Sequence, residues 1–326
     1  MKILLVLFRT LGDVVMGTTV LRAVKSKYPD SEIDFMTEQA NVNTLEGNPD
    51  INKIIIGGSY FEALDTFSSG NYDKIYKLNM INHTETSWHH IPEMQNQHLS
   101  EWYGRKAEVD VENDKNIYVY PSEKDKEVSD KLFVSLNIDG KRSIIFHTSS
   151  GQHAYGNSGE IRVESKDWPI DCFEALAERL INKGYNVIQI GLPKDKKLKH
   201  PKVIDVTGKL TFKQTMPFVS NFGAYLGVDS GPAYLAGQTG IPSIILMGAT
   251  RNQTKDNKGP SVGPRNDSVE YINPERPDHP MCKPVPCYVH CQVPHDVLGV
   301  GMKMSCIARI TVDEVYNKLI AKAAQL

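Results

Sequence analysis

Residues 1–29 read MKILLVLFRTLGDVVMGTTVLRAVKSKYP, and the fold follows from how this stretch divides. Ile3–Phe8 is an unbroken apolar run, as expected of a parallel strand covered by helices on both faces. It is far short of the ~18 apolar residues that span a bilayer. Arg9 breaks it and no small-residue cleavage site follows, so a buried first strand is expected rather than a signal peptide. Beyond Arg9-Thr10-Leu11-Gly12-Asp13, the residues Val14, Val20, Leu21 and Val24 recur at helical spacing as far as Tyr28-Pro29. A strand feeding directly into a helix opens a β-α-β unit.

The same alternation continues outward. Glu32–Met36, Lys53–Ile56 and Lys74–Leu78 read as further strands, which predicts a parallel, doubly wound α/β sheet. From His83 to Tyr103 the pattern dissolves into polar residues with two tryptophans, expected to form a long surface excursion. Ser122–Leu136 is a charged helix with Val128, Leu132 and Phe133 on one face, and strand-helix alternation resumes at Arg142. Helices are expected over Ile170–Lys183 and Phe212–Asn221, and strands over Tyr185–Ile190, Ala224–Val228 and Ser243–Met247. A cysteine- and proline-rich stretch over 274–306 precedes a last helix, Val312–Gln325. At 326 residues the chain accommodates two such units. The expected division is a first Rossmann-like domain over 1–138, a second over 139–310 and a terminal helix over 311–326. Two facing α/β units place a ligand in the cleft between them, at the carboxyl ends of the strands.

Composition narrows the class. Lys plus Arg number 37 against 39 Asp plus Glu, a net charge of −2, without the basic surplus of proteins that grip nucleic acid. No segment is long and apolar enough to span a membrane, so a cytoplasmic protein with reduced thiols is expected.

Two local patterns can carry chemistry. In Tyr225-Leu-Gly-Val-Asp-Ser-Gly-Pro-Ala-Tyr-Leu-Ala236 a buried strand ends at Asp229, and Ser230-Gly231 opens a helix. Free N–H groups and the helix dipole make such a start suited to a diphosphate. The alternative is a capped helix whose Asp and Ser serve only the backbone. In Leu11-Gly12-Asp13, glycine permits close backbone approach and Asp13 faces the cleft, where a carboxylate can deprotonate a hydroxyl. The alternative there is an N-cap for a helix beginning at Val14.

These stretches, together with Lys166-Asp-Trp-Pro169, Gly191-Leu-Pro-Lys-Asp195, DVTGKLTF from Asp205 and GVDSGPAYLAGQTGIPSIILMGAT ending at Thr250, occur in the order and spacing of one family. The chain resembles the ADP-heptose:lipopolysaccharide heptosyltransferases, glycosyltransferase family 9, whose fold is GT-B. The resemblance is strongest over 1–37 and 205–250 and weakest between Tyr60 and Asp139. It implies a nucleotide-sugar donor in the second domain, ADP-heptose favoured, and a glycan, glycolipid or protein hydroxyl as acceptor. Transfer would be inverting and would need neither metal nor cofactor for catalysis. Asp13 falls where the family has its base, and Lys166 where a lysine stabilises the departing diphosphate. Gly12, His147, Thr148, Ser149, Asp229, Ser230 and Gly231 fall on donor-binding elements. Asp195 matches an acidic residue on the ribose, usually Glu. Two departures stand out, Tyr234 where His is common and Met247 where Phe is usual.

Cys282, Cys287, Cys291 and Cys306 have the spacing C-x4-C-x3-C-x14-C. Four thiolates in so short a stretch suit a structural zinc or iron site; buried thiols and disulfides are the alternatives. Autotransporter-modifying members of the family carry iron on four cysteines there, which the resemblance extends to this chain. In the polar excursion, Trp88, His98 and Trp102 can wall the acceptor side by stacking on sugar rings, or belong to a surface loop. Association with the inner membrane and homo-oligomerisation are compatible with all of this. Three rivals remain: another nucleotide-sugar reaction (a transferase with a different donor, an epimerase or a hydrolase), a DNA-modifying transferase, and a non-catalytic sugar-binding module.

Overall fold

The computed structural model describes residues 1–57, 71–78, 97–150, 166–248, 250, 261–275 and 305–323. In chain order the first half contains β1 (Lys2–Val6), α1 (Leu11–Lys27), β2 (Glu32–Thr37), α2 (Val42–Leu45), β3 (Lys53–Ile56), β4 (Lys74–Lys77), α3 (Leu99–Lys106) and α4 (Glu123–Leu136). The second contains β5 (Ser143–His147), α5 (Ile170–Asn182), β6 (Asn186–Ile190), β7 (Ile204–Asp205), α6 (Phe212–Val219), β8 (Ala224–Val228), α7 (Gly231–Thr239), β9 (Ser243–Leu246), β10 (Val269–Ile272) and α8 (Val312–Ala323).

Both sheets are parallel throughout. The first runs β3-β2-β1-β4 and the second β7-β6-β5-β8-β9-β10. The second order reverses between β5 and β8, the crevice where doubly wound sheets bind ligands. Period-two alternation explains why β1 must be apolar on both faces. Ile3, Leu5 and Leu7 join a large buried cluster that continues through α1 and into Ile145, Ile188 and Tyr225 of the second sheet. Leu4, Val6 and Phe8 form a smaller cluster on the opposite face. In β5, Ile144 and Phe146 face away from that shared core, toward Trp168 and Phe173.

The last helices take their places from packing. α4 precedes β5 in the chain yet lies on α6, with Ser129 Oγ donating to the Gln214 carbonyl at 2.6 Å and Phe133 meeting Phe222 edge-on at 5.4 Å. α8 lies on α5; the Arg179 guanidinium sits 3.6 Å from the Tyr316 ring centroid, and Val315 and Leu319 complete the outer core. Among the described residues no helix is long and apolar enough to cross a membrane.

Three local expectations change. α1 begins at Leu11, three residues before Val14. The end of the expected excursion is α3, opened by a capping box between His98 and Glu101, with Leu99, Ser100, Trp102, Tyr103 and Gly104 buried. β10 adds an edge strand that the sequence reading lacked.

Gly140 leads into β5 where the halves meet; a β-carbon there would lie 2.2 Å from the Asn221 carbonyl oxygen and 3.0 Å from Phe133. Gly140→Ala is therefore expected to destabilise the protein by about 1–3 kcal/mol, the usual range for overpacking, read as a lower urea midpoint.

Candidate functional site

Asp13 and its neighbours sit where β1 hands over to α1. Thr10 is the N-cap, in extended conformation, but its side chain makes no capping bond. The hydroxyl instead donates to Asp13 Oδ2 at 2.6 Å, and the Tyr103 hydroxyl donates to Oδ1 at 2.8 Å. Asp13 thus lies in the first turn of α1, not at its cap, and each carboxylate oxygen holds one hydroxyl donor. An acidic side chain is favoured there by the helix dipole.

The opposite wall is built at the end of β8. Asp229 is buried and takes two partners on Oδ2: Lys166 Nζ at 2.8 Å and Thr250 Oγ1 at 2.6 Å. The neighbours of Lys166 anchor it. Asp167 accepts from the Ser150 backbone N–H at 2.7 Å, and Trp168 is buried with its indole N–H on the Ile310 carbonyl at 3.0 Å. Ser230 caps α7 without a side-chain capping bond. Its hydroxyl donates to the Val228 carbonyl at 3.1 Å and lies 3.0 Å from His147 Nδ1. A hydroxyl already donating accepts from that nitrogen, which selects the Nδ1–H tautomer of a neutral imidazole. This bond spans the β5–β8 crevice.

Two adjoining cavities result. One of about 290 Å³ is lined by Asp13, Gly12, Arg9, Lys166, Asp229 and Tyr234, among others. The other, of about 250 Å³, has His147, Ser149 and Asp195 against apolar Ile190, Val206 and Phe212. Leu11, Ser150, Ser230 and Gly231 line both. A mixed polar and charged chamber beside a largely apolar one has room for a reacting sugar and for a flat heterocycle. Gly231 is required where the chambers join: a β-carbon would lie 2.3 Å from Leu11 Cδ2. Gly12 is under no such constraint, since its nearest neighbour would be Tyr234 at 3.5 Å.

The other expected residues divide. Asp195 lines the apolar chamber, its carboxylate accepting from the Leu192 N–H at 2.7 Å. Thr148 is buried away from the chambers and accepts from Gln189 Nε2 at 3.1 Å. His98 is buried too, with Nε2 2.9 Å from the Gly263 carbonyl and Nδ1 accepting from the Ser100 N–H at 3.2 Å. Trp102 is buried and covered by Lys106, whose Nζ lies 4.8 Å from the ring centroid. Neither ring offers the open stacking face expected of an acceptor wall; both serve the packing of α3. Trp88, Cys282, Cys287 and Cys291 lie outside the described residues, and Cys306 is buried at the start of a short 3-10 turn. Among the described residues no group of three or more potential ligands could hold a metal ion. The sequence reading gave no role to Thr10 or Thr250, and it placed Tyr103 in the polar excursion and not beside Asp13. The capping pattern His98-x-x-Glu101 was the signal for the helix that delivers Tyr103.

Residues 136–288 match the model of glycosyltransferase family 9 (heptosyltransferase). Lipopolysaccharide heptosyltransferase 3 of Escherichia coli is 24% identical over 280 residues, covering 73% of this chain and 81% of that protein. A family 9 glycosyl transferase from Veillonella parvula superposes with a TM-score of 0.72 at 16% identity, over 100% of this chain and 97% of the other. For the ADP-heptose LPS heptosyltransferase II of E. coli the TM-score is 0.66 at 16% identity, over 100% and 99%. A dodecameric, iron-containing glycosyltransferase from enterotoxigenic E. coli gives 0.61 at 14%, over 99% and 76%. The architecture is therefore GT-B, two Rossmann-like units facing across a cleft.

Burial pushes the His147 imidazole down to about 4 and His98 to about 3. Both values lie below the ~6.5 of an unfolded chain, so the folded state binds fewer protons than the unfolded one as pH drops. Their contribution is complete above about pH 6.5 and is lost as pH falls toward 4 and then 3. Urea titrations between pH 7 and 4 are expected to give a declining stability, at most about 1.4 kcal/mol per pH unit for each imidazole. The decline should be shallower in His147→Asn.

Proposed function

We propose, from the premise that this chain belongs to glycosyltransferase family 9 and is a glycosyltransferase, that it transfers a heptosyl group from ADP-heptose to a hydroxyl of a glycan, glycolipid or protein acceptor, with inversion. The observation that carries this reading is the single chamber lined by Asp13 from the first half and by Lys166, Asp229 and Ser230 from the second.

The donor would lie against the second half, residues 139–310, with its nucleoside in the apolar chamber beside Asp195. Its diphosphate would lie at the start of α7, where backbone N–H groups and the helix dipole favour anions. The acceptor would approach from residues 1–138. Asp13 takes the proton of the acceptor hydroxyl as that oxygen attacks the anomeric carbon from the face opposite the diphosphate. The bond from that carbon to the phosphate oxygen breaks, and the electron pair leaves with ADP. The charge growing on the leaving oxygen is met by Lys166, which the Asp229 carboxylate and its Thr250 hydrogen bond hold in place before reaction begins. No step in this scheme calls for a metal.

The four-cysteine cluster is the remaining part of the proposal. Support comes from the C-x4-C-x3-C-x14-C spacing and from the buried setting of Cys306. Such a site would order the proline-rich stretch and take no part in transfer. Elemental analysis of the purified protein should find zinc or iron near one equivalent, reduced in Cys306→Ser; a metal-free, fully folded protein would reject it.

Asp13→Asn should keep the fold and the affinity for ADP while lowering kcat by about 10²–10⁴-fold, the usual contribution of a general base. A rate within a few-fold of wild type would reject Asp13 as the base. In a thermal-shift panel of ADP-, UDP-, GDP-, CMP- and dTDP-sugars, ADP-heptose at 100 times its Kd should add about 2.7 kcal/mol to folding. Selective stabilisation by another nucleotide sugar would retain the mechanism and replace the donor.

A further inference from the structure

The hydrogen bond from Tyr103 to Asp13 ties the base to a helix of the same half, 90 residues away in sequence. Tyr103 is completely buried, so its hydroxyl has no water to exchange with. Burial and the Asp13 carboxylate push the phenol well above its ordinary pKa, which keeps it a donor at any working pH.

The position of α3 is in turn set from the other side of the cleft. Its N-cap, His98, bonds to the Gly263 carbonyl at 2.9 Å, and the Leu99 N–H donates to the Ser261 carbonyl at 2.9 Å. Arg265 adds a fork: it reaches Glu101 Oε1 at 3.2 Å and the Val111 carbonyl at 2.9 Å, and also bonds the Asp114 carbonyl. The same segment receives Tyr234, whose hydroxyl accepts from the Gly263 N–H at 2.8 Å. Ser261–Arg265 belongs to the second half, whereas α3 and the 109–114 turn belong to the first.

We infer that Tyr103 is a positioning residue for Asp13, and that the second half sets the pose of the base by pinning α3 through Ser261, Gly263 and Arg265. The inference rests on the reading of Asp13 as the base. It predicts that the base is correctly aimed only while the two halves are in register. A donor-loaded second half and a competent base would then be assembled by the same contact.

The test is Tyr103→Phe, which removes one oxygen and leaves the ring that fills the core. Its kcat should fall about ten-fold, with the KM for the donor and the affinity for ADP unchanged. The charged and titratable groups that face Asp13 are Arg9 before α1, Tyr103 on α3, Lys166 before α5, Asp229 after β8 and Tyr234 on α7; of these only Tyr103 is altered. A role limited to packing would lower stability and leave kcat, like the donor KM, unchanged. If Tyr103→Phe does not fold, Arg265→Lys provides the second reading: it loosens α3 without entering the chamber, and should lower kcat while sparing the donor KM. Wild-type kcat in a folded Tyr103→Phe, with Asp13→Asn inactive, would overturn the positioning role alone. An active Asp13→Asn would overturn the base assignment and this inference with it.

Discussion

Leu11 occupies the space that any side chain on residue 231 would need. This contact between the first residues of α1 and α7 is the constraint on which the site depends. It brings together two helix starts, one from each α/β unit, and with them two sets of N–H groups not used inside a helix. Asp13 follows one start within a turn and Asp229 precedes the other by two residues. The chamber they share is therefore a product of helix geometry and the close approach of two backbones, and its charged side chains need little reach to meet there.

Charge in that chamber is costly and is held by neighbours of fixed geometry. Lys166 and Asp229 are both largely buried. A pair of this kind contributes little net stability, but removing either partner strands the other, typically at about 3–5 kcal/mol. Thr250 on Asp229, and Thr10 and Tyr103 on Asp13, fix the acceptor oxygens in advance. Fixed donors of this kind leave a carboxylate little freedom to reorganise. The arrangement also explains the two N-cap residues that do not cap. Thr10 and Ser230 have the right identity and backbone conformation, yet each directs its hydroxyl to another partner, Asp13 in one case and the β5–β8 crevice in the other.

Much of this was legible in the sequence, for physical reasons that also mark its limits. Ala224–Val228 falls on its strand to the residue because a sheet covered on both sides demands a continuous apolar run, and the short β-branched run at Lys53–Ile56 marks an edge strand just as closely. The identities of Asp13, Lys166 and Asp229 came from motif order, and the structure brings them to one chamber. α3 was hidden because its buried face mixes Ser100 and Gly104 with aromatics, a pattern that has no clear period over eight residues. The Tyr103–Asp13 bond was beyond any spacing rule, since it joins residues 90 apart. Thr148 shows the complementary failure: a motif predicts which residues gather, but the alternation along an extended segment decides which of them turn inward. His98 and Trp102 were read, on their chemistry, as an acceptor wall or as part of a surface loop, and both are buried at α3.

The large buried cluster has a consequence of a different kind. It does not stop at the boundary between the sheets, but runs from Leu5 and Val15 through Tyr234 to Ile145 and Ile188. In many two-unit enzymes each half keeps a private core and evolution can trade one half for another. Here a transplanted half would leave behind an apolar face with no covering, and a chimera would need the partner's surface rebuilt before it could fold. A chain with such a seam diversifies by substitution within each half, around a fixed shared core, and not by shuffling whole units.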